Sequence, residues 1–163
     1  MEKSKLILLP LIAVILFLSG CTKQSVPALD TAAERREIAR VIDSCIGWFK
    51  TKDFDLYFSS VAQDSNFIAV HPGNNVVRGF AQVIENSEIF KRTEFQYVRH
   101  EIRDQKITLS RNGDTAWFFC MLNDINTWDG RPANWENTRW TGVLEKRDGR
   151  WVIVQQHFSF ASE

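Results

Sequence analysis

No stretch of this sequence is apolar for long enough to cross a bilayer comfortably. The longest run, Leu6 to Leu18, is roughly 13 residues, short of the ~20 that a ~30 Å hydrocarbon core requires of a helix. Charge of one sign is also missing. Twenty lysines and arginines balance twenty aspartates and glutamates, so nothing points to nucleic acid as a partner. Cysteine is scarce, with only Cys21, Cys45 and Cys120. There is no internal repeat and no low-complexity tract. The chain also lacks a triad of histidines and carboxylates at metal-ligand spacing, a Ser-His-Asp constellation and a phosphate-cradling glycine loop. No metal and no other cofactor is therefore expected.

What the chain does have is concentrated at its start and in its aromatics. Glu2, Lys3 and Lys5 form a short, net positive n-region before the apolar run. Leu18-Ser19-Gly20-Cys21 then resembles the lipobox read by lipoprotein signal peptidase. Small side chains flank the expected scissile bond, and a thiol is present to form the thioether to diacylglycerol. The resemblance implies a signal peptide over residues 1–20 and an exported chain anchored to a bacterial membrane through lipid on Cys21, with further acylation for stable attachment. Thr22, which is not aspartate, implies the outer membrane, facing the periplasm, in a diderm host. Residues 21–30 read as a tether, and residues 31–163 as one domain by the usual size prior. Six tryptophans and twelve phenylalanines in so short a domain suggest a large core, an aromatic-lined cavity, or both. Cys45 and Cys120 are read as buried single thiols, with a disulfide as the alternative that an exported compartment permits.

Ile38, Val41, Ile42, Cys45 and Phe49 fall on one helical face, predicting a helix over Glu34–Lys50, with Thr31 and Glu34 as a capping box. A short helix is expected from Asp53, as N-cap, to Ser60. Asn66–His71 reads as a strand, turned by Pro72-Gly73-Asn74-Asn75 into Val76–Arg78. Gly79 opens a third helix, Phe80–Phe90. Strand candidates follow: Phe95–Arg103 joined to Lys106–Ser110, Thr115–Thr127, Asn134–Lys146 and Trp151–Phe160. Asp129-Gly130 and Asp148-Gly149 are strong hairpin signals. Helices first and an antiparallel meander last predict an α+β fold. In Thr115–Thr127 both strand faces are apolar: Trp117, Phe119 and Met121 on one, Phe118, Cys120 and Leu122 on the other. Helices can cover one face, and a second subunit is the economical cover for the other, which predicts a homodimer.

The order of elements and several motifs resemble the nuclear transport factor 2-like superfamily, in its SnoaL-like group. The motifs are Asp53-Phe54-Asp55-Leu56-Tyr57, Val70-His71-Pro72, Val77-Arg78-Gly79-Phe80 and Thr138-Arg139-Trp140-Thr141-Gly142-Val143. The last of these runs on to Arg147-Asp148-Gly149-Arg150-Trp151-Val152-Ile153-Val154 and His157-Phe158-Ser159. That C-terminal stretch is similar to the association domain of calcium/calmodulin-dependent protein kinase II. The resemblance implies a cone: N-terminal helices on a strongly bent antiparallel sheet, an internal pocket, and dimerisation through the sheet's outer face. It does not name a reaction, because enzymes, hubs and transport factors share the fold.

The resemblance also assigns positions. His71 stands where the isomerase branch has its catalytic aspartate, and an imidazole there is a candidate general base; a half-exposed hairpin histidine is the plainer reading. Cys45 stands near the place of the isomerase tyrosine and is a poor oxyanion donor, which argues against that chemistry. Arg139 matches a pocket arginine of the hub and would grip a carboxylate, unless it forms a structural salt bridge. Tyr57 matches a pocket tyrosine. Asn123 and Phe158 stand where the hub has two further arginines. With Arg139 inward, Trp117, Phe119, Met121 and Asn123 would line the same interior, joined by Gln156. His157 would face outward, and Trp128 and Trp135 would flank the rim. The leading expectation is a small, largely apolar and potentially carboxylate-bearing ligand in the cone. The alternatives are a lyase, isomerase or cyclase using His71, and a structural dimer with a filled cone.

Overall fold

Residues 30–161 are described by the structure, a computed structural model. The expected signal peptide, Cys21 and the tether up to residue 29 lie outside the described residues. The first helix, α1 (Thr31–Gly47), buries the face its periodicity marks: Ile38 and Ile42 are fully enclosed, with Cys45 and Ile46 beside them. Its cap is Asp30, whose carboxylate accepts from the N–H groups of Ala32 and Ala33, so the expected Thr31 cap is displaced by one residue. A 3-10 turn, Trp48–Lys50, follows. Helix α2 (Phe54–Ser60) starts at the expected Asp53 cap, with Leu56 N donating to Asp53 Oδ1 at 2.9 Å. Strands β1 (Ile68–Val70) and β2 (Val76–Arg78) form the short hairpin, and α3 (Gly79–Ser87) leaves it through a glycine at φ +74°.

The rest is sheet: β3 (Phe95–Leu109), β4 (Thr115–Trp128), β5 (Arg131–Pro132), β6 (Trp135–Arg147) and β7 (Arg150–Ser159). The strand order is β2-β1-β7-β6-β4-β3, with β5 added on β4. All neighbours are antiparallel except β1 and β7, which run parallel, so the sheet is mixed rather than wholly antiparallel. The three helices pack on a strongly curled sheet, the expected α+β cone. Among the described residues no helix is long and apolar enough to cross a membrane.

Bulges set the curl and decide which residues face the helices. Two lie in β3: at Val98, between Tyr97 and Arg99, and at Asp104 (φ +54°), where the sequence separated Arg103 from Lys106. A third lies in β6, where Glu136 and Asn137 together oppose Asn123 and Asn137 takes φ +49°. Its N–H donates to Asn123 Oδ1 at 2.8 Å, and Asn123 Nδ2 donates to Glu101 Oε2 at 3.1 Å. A fourth is in β7, where Val154 is the extra residue between Ile153 and Gln155. Each extra residue moves every later side chain to the opposite face.

This overturns one expectation. On β4 the helix-covered face carries Ala116, Phe118, Cys120, Leu122, Asp124 and Asn126, all buried. Trp117, Phe119, Met121 and Asn123 lie on the outer face, where Trp117 is 50% and Phe119 38% exposed. Arg139 pairs across from Met121, is exposed, and donates to the Phe160 carbonyl. The expected inward set of Trp117, Phe119, Met121, Asn123 and Arg139 therefore lies on the wrong face. With both faces of β4 apolar, period two could not choose between them, and the Asn137 bulge turns Arg139 away from the side that Trp135 faces.

Candidate functional site

Inside the cone is a cavity of about 600 Å³, within the range of small-molecule sites. It opens between the end of α1, α2, α3 and the curled sheet. Its apolar wall is aromatic. Trp48 stacks on Tyr57 with ring centroids 4.8 Å apart, and meets Phe90 edge-on at 5.8 Å. Phe95 lies 4.9 Å from Phe90. On the opposite side Trp135 and Phe158 are 5.3 Å apart, with the His71 ring 5.6 and 5.4 Å from each. Trp128 completes the lining at the rim.

The buried polar groups of the wall come chiefly from β4, β7 and α1. Asp124 and Asn126 project from β4 and are 7% and 4% exposed. Gln156, 2% exposed, projects from β7, and its Oε1 accepts from the Cys45 thiol at 3.6 Å. Asp124 Oδ1 and Asn126 Oδ1 are buried with no hydrogen-bond partner among the described residues. Unpaired buried oxygens are uncommon, because each forfeits its hydration without recompense.

Burial governs the ionisation of these groups. It raises the Asp124 carboxyl to about 6; the Asn126 amide beside it and the charge of His100 pull weakly the other way. Desolvation lowers the pKa of His71, so its imidazole is unprotonated at neutral pH. Burial pushes the thiols of Cys45 and Cys120 up to about 12, and both are free, buried cysteines rather than a disulfide. It raises the Tyr57 phenol as well.

Four of the residues expected at the site therefore line the cavity: Tyr57, His71, Gln156 and Phe158. The rim tryptophans Trp128 and Trp135 line it too, and His157 is exposed on the other side of β7. Asp124 and Asn126 were missed. The signal was available in Phe118-x-Cys120-x-Leu122-x-Asp124-x-Asn126, where an acid and an amide occupy the phase of a buried apolar row. Among the described residues no lysine or arginine lines the cavity, so the carboxylate grip expected of Arg139 has no counterpart there.

Residues 38–163 match the family model of the SnoaL-like domain. Solved structures agree in fold. A candidate dehydratase of the nuclear transport factor 2-like family from Streptomyces avermitilis aligns over 81% of this chain and 99% of its own, at 19% identity and TM-score 0.67. A candidate calcium/calmodulin-dependent protein kinase II association domain from Xanthomonas campestris aligns over 85% and 94%, at 23% identity and TM-score 0.65. A protein of the nuclear transport factor 2-like superfamily from Salmonella enterica serovar Typhimurium aligns over 82% and 94%, at 18% identity and TM-score 0.66. No curated protein is matched by sequence. With the family model spanning most of the chain, the chain belongs to the SnoaL-like domain family, and it shares the cone fold of these nuclear transport factor 2-like structures.

Proposed function

We propose that the domain holds a small, largely apolar molecule in its cone, with the polar end of that molecule at Asp124 and Asn126. The observation that carries this reading is the pair of unpartnered oxygens, Asp124 Oδ1 and Asn126 Oδ1, in the wall of an otherwise aromatic cavity. A cavity of about 600 Å³ weighs against a filled, purely structural cone. Tyr57, Gln156 and Phe158 complete the contact surface, and Arg139 takes no part.

Binding of the neutral dye Nile red, followed by fluorescence, tests the site. Val83 and Ser87 line the cavity from α3. Val83→Trp, or Ser87→Phe where the first variant loses its cooperative unfolding transition, weakens dye binding at least tenfold, while Arg139→Ala leaves it unchanged. Undiminished binding in a folded, cavity-filled variant refutes the reading.

A second reading is favoured by His71. Its ring lines the cavity and is kept unprotonated by burial, the state a general base needs. In this reading the domain is a lyase, isomerase or cyclase in which His71 takes a proton from the bound molecule. Undiminished turnover by His71→Ala on a substrate found by screening excludes it.

The setting of the domain is proposed on the sequence and the outer face. Leu18-Ser19-Gly20-Cys21 supports export and a lipid anchor on Cys21, at the outer membrane facing the periplasm in a diderm. Metabolic labelling with radioactive palmitate, lost in Cys21→Ser, tests the anchor. The exposed Trp117 and Phe119 support a homodimer through the outer sheet face. A monomer in sedimentation at micromolar concentration contradicts it.

A further inference from the structure

Negative charge at the polar end of the cavity meets no lysine or arginine among the described lining residues. The ionisable side chains lining the cavity are Asp124, Glu85, His71, Tyr57 and Cys45. Burial keeps the Cys45 thiol, the Tyr57 phenol and the His71 ring neutral. Glu85 is exposed on α3. Asp124 alone is a buried charged residue among those described.

Neighbouring elements bring one titratable ring close to it, that of His100, and its hydrogen bonds go elsewhere. Opposite Asp124 on β6 stands Trp135. Opposite on β3 stands His100, whose Nε2 lies 3.0 Å from Asp43 Oδ1 and whose Nδ1 lies 3.0 Å or less from a hydroxyl, that of Tyr97 at 2.9 Å. Both ring nitrogens are thus engaged away from Asp124. At the rim Arg92 is paired with Glu94 and lies over Trp128, 5.4 Å from its centroid. A buried carboxylate normally has a cation or a full set of donors, because desolvating it alone is costly.

The unmet capacity has a shape. Asp124 and Asn126 are two apart on one strand, so their side chains share a face about 7 Å apart along it. Each keeps an oxygen without a partner. A carboxylate ligand brings no donor, and an alcohol brings one; an ammonium brings two or three donors and a positive charge. Trp135, which stands across from Asp124 on β6, also lines the cavity and adds an aromatic neighbour of the kind cations favour.

We infer that the cavity takes an organic cation: a primary or secondary amine on an apolar body, its N–H groups on Asp124 and Asn126. The inference rests on the proposed ligand site and names the chemical class of its ligand. It replaces the carboxylate expected from Arg139 with a group of opposite charge.

Three matched probes test it by Nile red displacement and calorimetry: 2-phenylethylamine, 2-phenylethanol and phenylacetate. At pH 7.5 the amine binds at least tenfold tighter than the alcohol, and phenylacetate binds most weakly. Asp124→Asn removes the advantage of the amine over the alcohol. In the unaltered protein the same advantage shrinks as pH falls from 7.5 to 5, when Asp124 takes up its proton, so the test stands even where Asp124→Asn does not fold. Equal or tighter binding of the alcohol or the carboxylate overturns the inference, as does an amine preference that survives both Asp124→Asn and pH 5. Nile red entering while none of the three probes binds overturns the cation and leaves the ligand site standing. Exclusion of Nile red overturns both.

Discussion

Asp124→Asn is expected to stabilise the ligand-free protein at neutral pH, and the size of the gain follows from the burial of this one carboxyl. In the unfolded chain the group titrates near 3.8, and in the folded cavity near 6. Between those values the folded state holds a proton that the unfolded state has lost, so stability falls as pH rises through the window. Below about pH 4 the group is neutral in both states and costs nothing. Above about pH 6 it is ionised in both, and the fold carries the whole penalty of a buried, under-partnered charge. A shift of about 2 units corresponds to about 3 kcal/mol. Other carboxyls run the opposite way: Glu34, Asp64 and Glu94 are held low by their partners and lose their contribution as pH falls. The total pH profile therefore mixes signs. The difference between the unaltered protein and Asp124→Asn isolates one residue, because the other carboxyls cancel. Urea unfolding followed by tryptophan fluorescence, at steps from pH 4 to pH 7.5, should give a difference growing by about 3 kcal/mol in favour of the variant across the window. A flat difference, or a variant less stable at pH 7.5, refutes the burial account of Asp124.

Three further outcomes follow from local geometry. Gly142→Ala places a Cβ 2.5 Å from Phe118 Cε1 and 2.8 Å from the Gln155 carbonyl, so the strand must shift; a loss of about 1–3 kcal/mol in thermal or urea unfolding is expected. Asn123→Ala removes the acceptor of the Asn137 N–H and should cost about 1–2 kcal/mol, without changing dye affinity, since Asn123 lies outside the cavity. Cys45 and Cys120 are buried, with thiols pushed up to about 12, so iodoacetamide at pH 8 should label them only in denaturant, as peptide mass spectrometry can check.

Much of the fold was legible because it rests on local signals with single physical meanings. The face of α1 is set by Ile38, Ile42 and Cys45, and the start of α2 by the Asp53 side chain. Asp129-Gly130 and Asp148-Gly149 place aspartate and glycine in succession at positive φ, which turn chemistry demands of those residue types. The break in β3 was visible as a gap between Arg103 and Lys106. The faces of β4 and β6 were not legible. Trp117 and Phe119 are as apolar as Phe118 and Cys120, so composition gave no preference, and a bulge in β6 carries no residue signature as firm as a hairpin turn. The parallel pairing of β1 with β7 joins segments far apart in the chain, and no local pattern encodes it.

The bulge at Asn137 explains why the error in the site took the form it did. Strict alternation from Trp135, which faces the cavity, sends Asn137 and Arg139 inward together. The extra residue sends Thr138 and Trp140 inward instead and leaves Arg139 outside, bonded to the Phe160 carbonyl. The bulge alone accounts for the missing cation. In strict register Arg139 would stand opposite Cys120, on the cavity side together with Asp124. With the extra residue, held by the Asn123 side chain, the cavity keeps Asp124 and has no lysine or arginine among its described lining residues.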